Sequence, residues 1–247
     1  VDRRGEIQFF DDHGKVERSR RSLVGPSDPF VTYILIALNV VMFGVEVVTG
    51  ANPLKPSAES LVKLGADFAP LTVHGEPWRL VTSMFLHFGI VHLAMNMVCL
   101  YQARTVELVF GRLGFLTIYV AAGLGGALAS ELGAPHVGAG ASGAVFGVIA
   151  ALGVYLIVNR SRLNAAQLGR DARWLAMFFV INLAYGFSQP QIDVADHIGG
   201  IACGALAALV LAAGARAKQH RIPRAIGVLV VAIGLSAIVL GIAGSQP

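Results

Sequence analysis

The stretch LGFLTIYVAAGLGGALASE, residues 113–131, carries no charge before its last residue, and SGAVFGVIAALGVYLIV, residues 142–158, carries none at all. Roughly 17–25 predominantly apolar residues cross the ~30 Å of hydrocarbon in a bilayer, so each block has the length of a span. Five further blocks read the same way, at about 30–48, 83–102, 174–189, 194–214 and 225–243. The whole composition agrees. Of 247 residues, 55% are apolar and 14% charged, and the mean hydropathy is +0.67, whereas a soluble domain has about 25% charged residues. Too few charges remain to coat a soluble surface. High apolar content with a net charge of +4 excludes a disordered chain, and two cysteines exclude a disulfide scaffold. The sequence therefore predicts an all-α, polytopic membrane helix bundle. Residues 1–29 are polar and precede it as a short arm. The first block, starting at Phe30, is too long for the apolar core of a cleaved signal peptide.

The basic residues orient the spans. The arm holds six Lys and Arg, the first loop three, the second loop two, the fourth loop four and the sixth loop four, with none in the third, the fifth or the tail. Alternate sides thus carry 16 and 3. Excess Lys and Arg mark the cytoplasmic side, so the amino terminus is expected inside and the carboxyl terminus outside. The pI near 9.3 is then a topology signal, and no nucleic-acid partner is needed to explain it.

Strongly polar groups inside spans are costly and mark function by default. His92 and Asn96 are spaced i, i+4 and share one helix face; they are either a packing pair or part of a site. His92 falls nine residues into its block, or ~14 Å down at 1.5 Å per residue. His87 lies nearer the outer boundary and reads as interfacial or structural. The fourth span opens on Gly140-Ala-Ser142-Gly143, where a helix start leaves backbone N–H groups free to favour negative charge. The pair Gly143 and Gly147 also suits helix packing. A GxSG alone is weak, and the soluble hydrolase turn requires a preceding strand. The sixth span opens on Asp196-His197, with Gly200 and Gly204 at i+3 and i+7 from His197. Close packing of these glycines against Gly143 and Gly147 would bring His197 to Ser142. All three clusters fall in the outer half of the membrane, which a shared site explains.

Taken in order, Trp78-Arg79, His92-xxx-Asn96, Gly140-Ala-Ser142-Gly143 and His197-xx-Gly200-xxx-Gly204 resemble the rhomboid family of intramembrane serine proteases. The resemblance covers roughly Trp78 to Leu211. It implies a six-helix core at 30–214, with the arm at 1–29 before it and a linker and seventh transmembrane helix at 215–247 after it. It implies Ser142 as nucleophile and His197 as its base. His92 and Asn96 would serve the oxyanion hole with the Ser142 N–H. Phe146, Gly140, Gly143, Gly200 and Gly204 would support the site, and Glu107 and Gly111 match the family's Glu-xxx-Gly. Many members carry a tyrosine where this chain has Phe146, whose ring can still stack on His197. By the same resemblance the first loop, from Thr49 to Thr82, lies beside the site.

The expected chemistry is peptide-bond hydrolysis by a Ser142–His197 dyad. Asp196 points about 100° away around the helix and is expected to be dispensable; Asp193 lies one turn outward, where it is expected to be solvated. No cofactor and no metal are expected, since HExxH does not occur. Cys99 and Cys203 read as small apolar packing residues. The expected substrates are single-span membrane proteins in the lipid bilayer, with a bacterial plasma membrane as the expected location. The alternative is an inactive rhomboid-like protein that binds single-span clients, disfavoured by the presence of both Ser142 and His197. A transporter would place charges near mid-membrane, whereas Glu46 and Glu107 lie near span ends.

Overall fold

The computed structural model describes residues 28–132, 136–188 and 192–215, together with Ile226, Val228, Leu229 and Ala232, which are helical. The expected arm lies outside the described residues except for Asp28 and Pro29, and so does most of the expected span at 225–243.

Helix α1 covers Phe30–Val48, and Pro29 gives its first turn no side-chain cap. The orphan N–H groups of a helix start need partners. Glu107, far along the chain, supplies them: its carboxylate accepts from the N–H groups of Val31 and Thr32 and from Thr32 Oγ1, each at 2.8 Å.

The long first loop folds on itself. Helix α2, Ala58–Leu64, is capped by Ser57 and closed by Gly65 in the left-handed region. Strand β1, Asp67–Phe68, and the short helices α3, Ala69–Thr72, and α4, Arg79–Thr82, follow. Arg79 is buried and staples the loop. Its guanidinium donates to the carbonyls of Val62 and Ala66 at 2.7 and 2.9 Å and pairs with Glu76 at 2.6 Å. A buried charge needs this full set of partners.

The second span differs from the continuous 83–102 block expected. A 3-10 turn at Ser83–Phe85 ends in extended backbone at Leu86, and helix α5 begins only at Ile90 and runs to Gln102. The two helical pieces are bent by 92°. Gly89 has φ +96°, and a Cβ there would lie 2.5 Å from the Leu54 carbonyl oxygen. The backbone conformation and the first loop together stop the helix from extending back past Ile90. His92 consequently sits in the first turn of α5, not nine residues down a helix.

Helix α6, Thr105–Glu131, contains a break at Gly111, where φ is +78°. Strand β2, Val137–Gly138, pairs antiparallel with β1, placing Asp67 opposite Gly138 and Phe68 opposite Val137. Helix α7, Ser142–Val158, has the bounds its apolar block predicts. Helix α8, Ala165–Ser188, starts before the expected residue 174, because the Asn164 side chain accepts from the Ala166 N–H at 2.9 Å. Helix α9 covers Val194–Ala215. By length and hydropathy α1, α6 and Val194–Ala212 of α9 suffice to cross a membrane, the bent pair at 79–102 qualifies if taken as one span, and α7 is a shorter apolar helix.

Helices α6, α7 and α9 form the centre, and their glycines allow it. A Cβ on Gly204 would lie 2.5 Å from Gly147 Cα, and one on Gly200 would run into the Gly143 carbonyl. On the other flank a Cβ on Gly125 would lie 2.5 Å from Cys203 Cβ. Backbones this close are the small-residue packing that bilayer helices use in place of hydrophobic driving force. Helix α8 joins through aromatic rings: Phe178 meets Phe146 of α7 with centroids 5.3 Å apart.

Candidate active site

The α7–α9 contact positions Ser142 and His197. Ser142 is the first residue of α7, and Ala141 before it gives the helix no side-chain cap. His197 lies in the first turn of α9 and is buried. The Phe146 ring stacks flat on it, with centroids 4.1 Å apart and planes inclined by 13°. Both residues line one cavity of about 250 Å³ with His92, Asn96 and Gly140. Among the described residues no hydrogen bond joins Ser142 Oγ to His197, whose Nδ1 is buried without a partner. Such bonds are often loose in unliganded sites and tighten on the substrate.

Gly140 has φ +142°, which favours glycine, and its missing side chain opens the site. A Cβ there would lie 3.1 Å from His92 Nε2 and 3.7 Å from Ser142 Oγ. That small space touches both the Ser142 hydroxyl and a His92 ring nitrogen. The ring is oriented from behind: His92 Nδ1 accepts from the Phe88 N–H at 3.3 Å. A neutral imidazole that accepts at Nδ1 carries its proton on Nε2, so a donor faces the space above Ser142. Asn96 is buried and donates to the His92 carbonyl at 3.1 Å through one of its two amide protons.

The first loop is fastened to this region. β1 pairs with β2 just ahead of Ser142, and the Gly140 N–H donates to the Ser83 carbonyl at 2.9 Å. Glu46 of α1 accepts from the His87 N–H at 2.9 Å, and the buried His87 ring stands edge-on to His92 with centroids 5.3 Å apart. His87 is therefore a buried support under His92 rather than an interfacial residue.

Neither aspartate near His197 is hydrogen-bonded to its ring among the described residues. Asp193 pairs with His136 Nε2 at 2.7 Å and accepts from the Asp196 N–H at 3.1 Å. Asp196 packs its carboxylate against Gly143 and Gly126. Sequence reasoning missed both arrangements, since each depends on residues far away in the chain. Burial alone would raise the Asp193 carboxyl, but the hydrogen bonds it accepts from His136, Ser130 and the Asp196 N–H outweigh burial and hold it at about 2. Burial pushes the Asp67 carboxyl of β1 above the usual aspartate range.

A depressed aspartate stabilises the fold above its unfolded value, 3.8, and loses that contribution as pH falls through about 2. Asp193→Asn is accordingly expected to lower stability at neutral pH by about 2 kcal/mol. Unfolding of both proteins in detergent across pH 2 to 7 checks this. The gap should close toward pH 2, and a gap of constant size would refute the assignment.

Residues 74–214 match the rhomboid domain, more than half of the chain. The chain belongs to the rhomboid family. It is similar to rhomboid protease GluP of Bacillus subtilis (strain 168), 38% identical over 210 residues that span 83% of this chain and 40% of that protein. RHOMBOID-like protein 5 of Arabidopsis thaliana is 38% identical over 168 residues, spanning 64% of this chain and 52% of that one. Rhomboid protease AarA of Providencia stuartii is 30% identical over 203 residues, or 71% of this chain and 70% of that protein. The chain thus spans about half the length, or less, of the first two. Family membership and the apolar helices together make this rhomboid protein a multi-pass integral membrane protein.

Proposed function

We propose that this chain is an intramembrane serine endopeptidase that cleaves transmembrane or juxtamembrane segments of single-span membrane proteins. The observation that carries the reading is the convergence of Ser142 Oγ, the His92 Nε2 donor and the stacked His197 on one cavity cradled by Gly140. In this reading His197 takes the Ser142 proton as Oγ attacks the scissile carbonyl. The oxyanion accepts from the Ser142 N–H, His92 Nε2 and Asn96. His197 then passes the proton to the leaving amine, and water, activated by the same ring, hydrolyses the acyl-enzyme. Because Asp193 is engaged with His136, the reading is a dyad. Phe146 sets the plane of the His197 ring without a hydroxyl, and Gly143, Gly200 and Gly204 set the spacing of its helix from Ser142.

The same reading divides the chain into an arm at 1–29, a six-helix core at 30–214 and a seventh span within 215–247. The 16 to 3 split of basic residues supports a cytoplasmic amino terminus and an outer carboxyl terminus, in the plasma membrane of a bacterium.

A fluorophosphonate probe on detergent-solubilised protein tests the function. Labelling of the wild type and none of Ser142→Ala supports a serine hydrolase, whereas no labelling of either argues against it and favours an inactive rhomboid. Asn96→Ala is expected to slow turnover by ~10²–10³-fold if the amide is a full oxyanion donor, and by less if water replaces it. Turnover of a single-span substrate reads the loss, and an unchanged rate would remove Asn96 from the hole.

A further inference from the structure

The start of α7 poses a problem that its own sequence leaves unsolved. Ala141 offers no side-chain cap, and the first N–H groups of a helix need acceptors. In the reading above, the Ser142 N–H is reserved for the oxyanion. The next residue, Gly143, meets a carboxylate from another helix. Asp196 Oδ1 and Oδ2 would lie 2.5 and 2.7 Å from a Cβ on Gly143, and the group faces the Gly143 N–H. On its other side, the Asp196 carbonyl oxygen would lie 2.7 Å from a Cβ on Gly126 of α6, and the carboxylate is closer still. Two glycines from two helices thus form a slot that one aspartate fills. An acceptor at the N-terminus of a helix also has favourable electrostatics.

Asp196 is next in sequence to His197. The same residue that touches the backbone beside the nucleophile is therefore rigidly tied to the base. Its own N–H is held by Asp193 at 3.1 Å, and Asp193 is in turn held by His136 at 2.7 Å. The charged or titratable groups that act on Asp196 are Asp193 before α9, Asp67 of β1 and His136 before β2, and Glu131 at the end of α6 in turn faces Asp67 and His136.

We propose that Asp196 is a positioning residue of the active site, holding the first turn of α7, and with it Ser142, in register with His197 on α9. This rests on the serine-protease reading above. It reverses the expectation, drawn from helix geometry alone, that Asp196 is dispensable.

The test uses the full chain in detergent, with active sites counted by fluorophosphonate labelling and cleavage of a single-span substrate followed at saturation and below. Asp196→Ala should lower kcat per labelled site by about ten- to a hundredfold, the range a small misplacement of reacting groups produces, while KM stays within about twofold, the split expected when positioning rather than binding is lost. Asp196→Asn keeps the shape and an acceptor oxygen and should restore kcat to within about threefold of wild type. Should the Ala variant fail to fold, Asp196→Ser, whose hydroxyl fits the slot but falls short of Gly143, is read the same way. A residue that only fills space would change the melting temperature or the labelled fraction and leave kcat per labelled site unaltered. That result overturns the proposal, and so does an Asn variant as slow as Ala. A wild-type protein with no Ser142-dependent labelling or cleavage instead overturns the protease reading itself, and this assignment falls with it.

Discussion

Ser142→Ala and His197→Ala should each abolish cleavage of a single-span substrate, and the double variant should be little worse than either alone. In the proposed dyad the two side chains would act as one unit: the hydroxyl is a poor nucleophile without its base, and the base has nothing to activate without the hydroxyl. Losses of up to about 10⁶-fold are the scale for removing one member of such a unit. The surroundings sharpen the expectation. The buried Nδ1 of His197 has no partner, and Asp193 is engaged elsewhere, so among the described residues no carboxylate is placed to rescue the ring. Turnover of purified variants, with folding verified by thermal melting, decides the matter. A His197→Ala protein that retains activity would show that another group is the base, and additive losses would break the unit.

The second large effect is structural in origin. Gly200→Ala should cost about 3 kcal/mol or more in stability, the upper part of the range for overpacking, and should remove activity even where the protein still folds. The added Cβ would lie 2.7 Å from the Gly143 carbonyl carbon and 3.0 Å from its Cα. These are backbone atoms of a helix and cannot swing aside as a flexible side chain could. Relief requires α7 and α9 to separate, and that movement draws Ser142 from His197. Gly44→Ala in α1 is the control, because a Cβ there has nothing within 4 Å; helix propensity favours alanine, so its stability should hold or rise. Unfolding in detergent and substrate turnover report the two effects separately. A Gly200→Ala protein as stable and active as wild type would mean that the helices do not pack at this distance.

The parts legible in the sequence were those fixed by local pattern. The bounds of α1 and α7 coincide with their apolar blocks, because hydropathy alone sets where such helices run. The glycines facing each other across α7 and α9 stood out at i, i+4 spacing on each helix. What stayed hidden depends on distant residues. The block at 83–102 is apolar throughout its bend, and what stops the helix at Gly89 is the Leu54 carbonyl of the folded first loop. The charges of Arg170 and Arg173 keep the apolar block from extending back past residue 174, whereas the Asn164 cap starts the helix at Ala165. The angle of Asp196 around its own helix carries no information about the slot that Gly126 and Gly143 open for it. The role of Asp193 depended on His136, 57 residues away.

Glu107 has a meaning in time as well as in space. The carboxylate that closes the start of α1 lies 75 residues beyond Thr32. A ribosome adding about 5–20 residues per second therefore leaves the Val31 and Thr32 N–H groups without their final partner for several seconds after α1 has been made. During that interval the end of α1 depends on water at the membrane surface, and its flank, where Leu38, Val40 and Val41 remain exposed even in the finished fold, depends on lipid. Glu107 then gives the first turn of α1 the acceptors that its own sequence does not supply. The first turn of α1 is thus a late-closing part of the fold, completed only by chain that is made after α5.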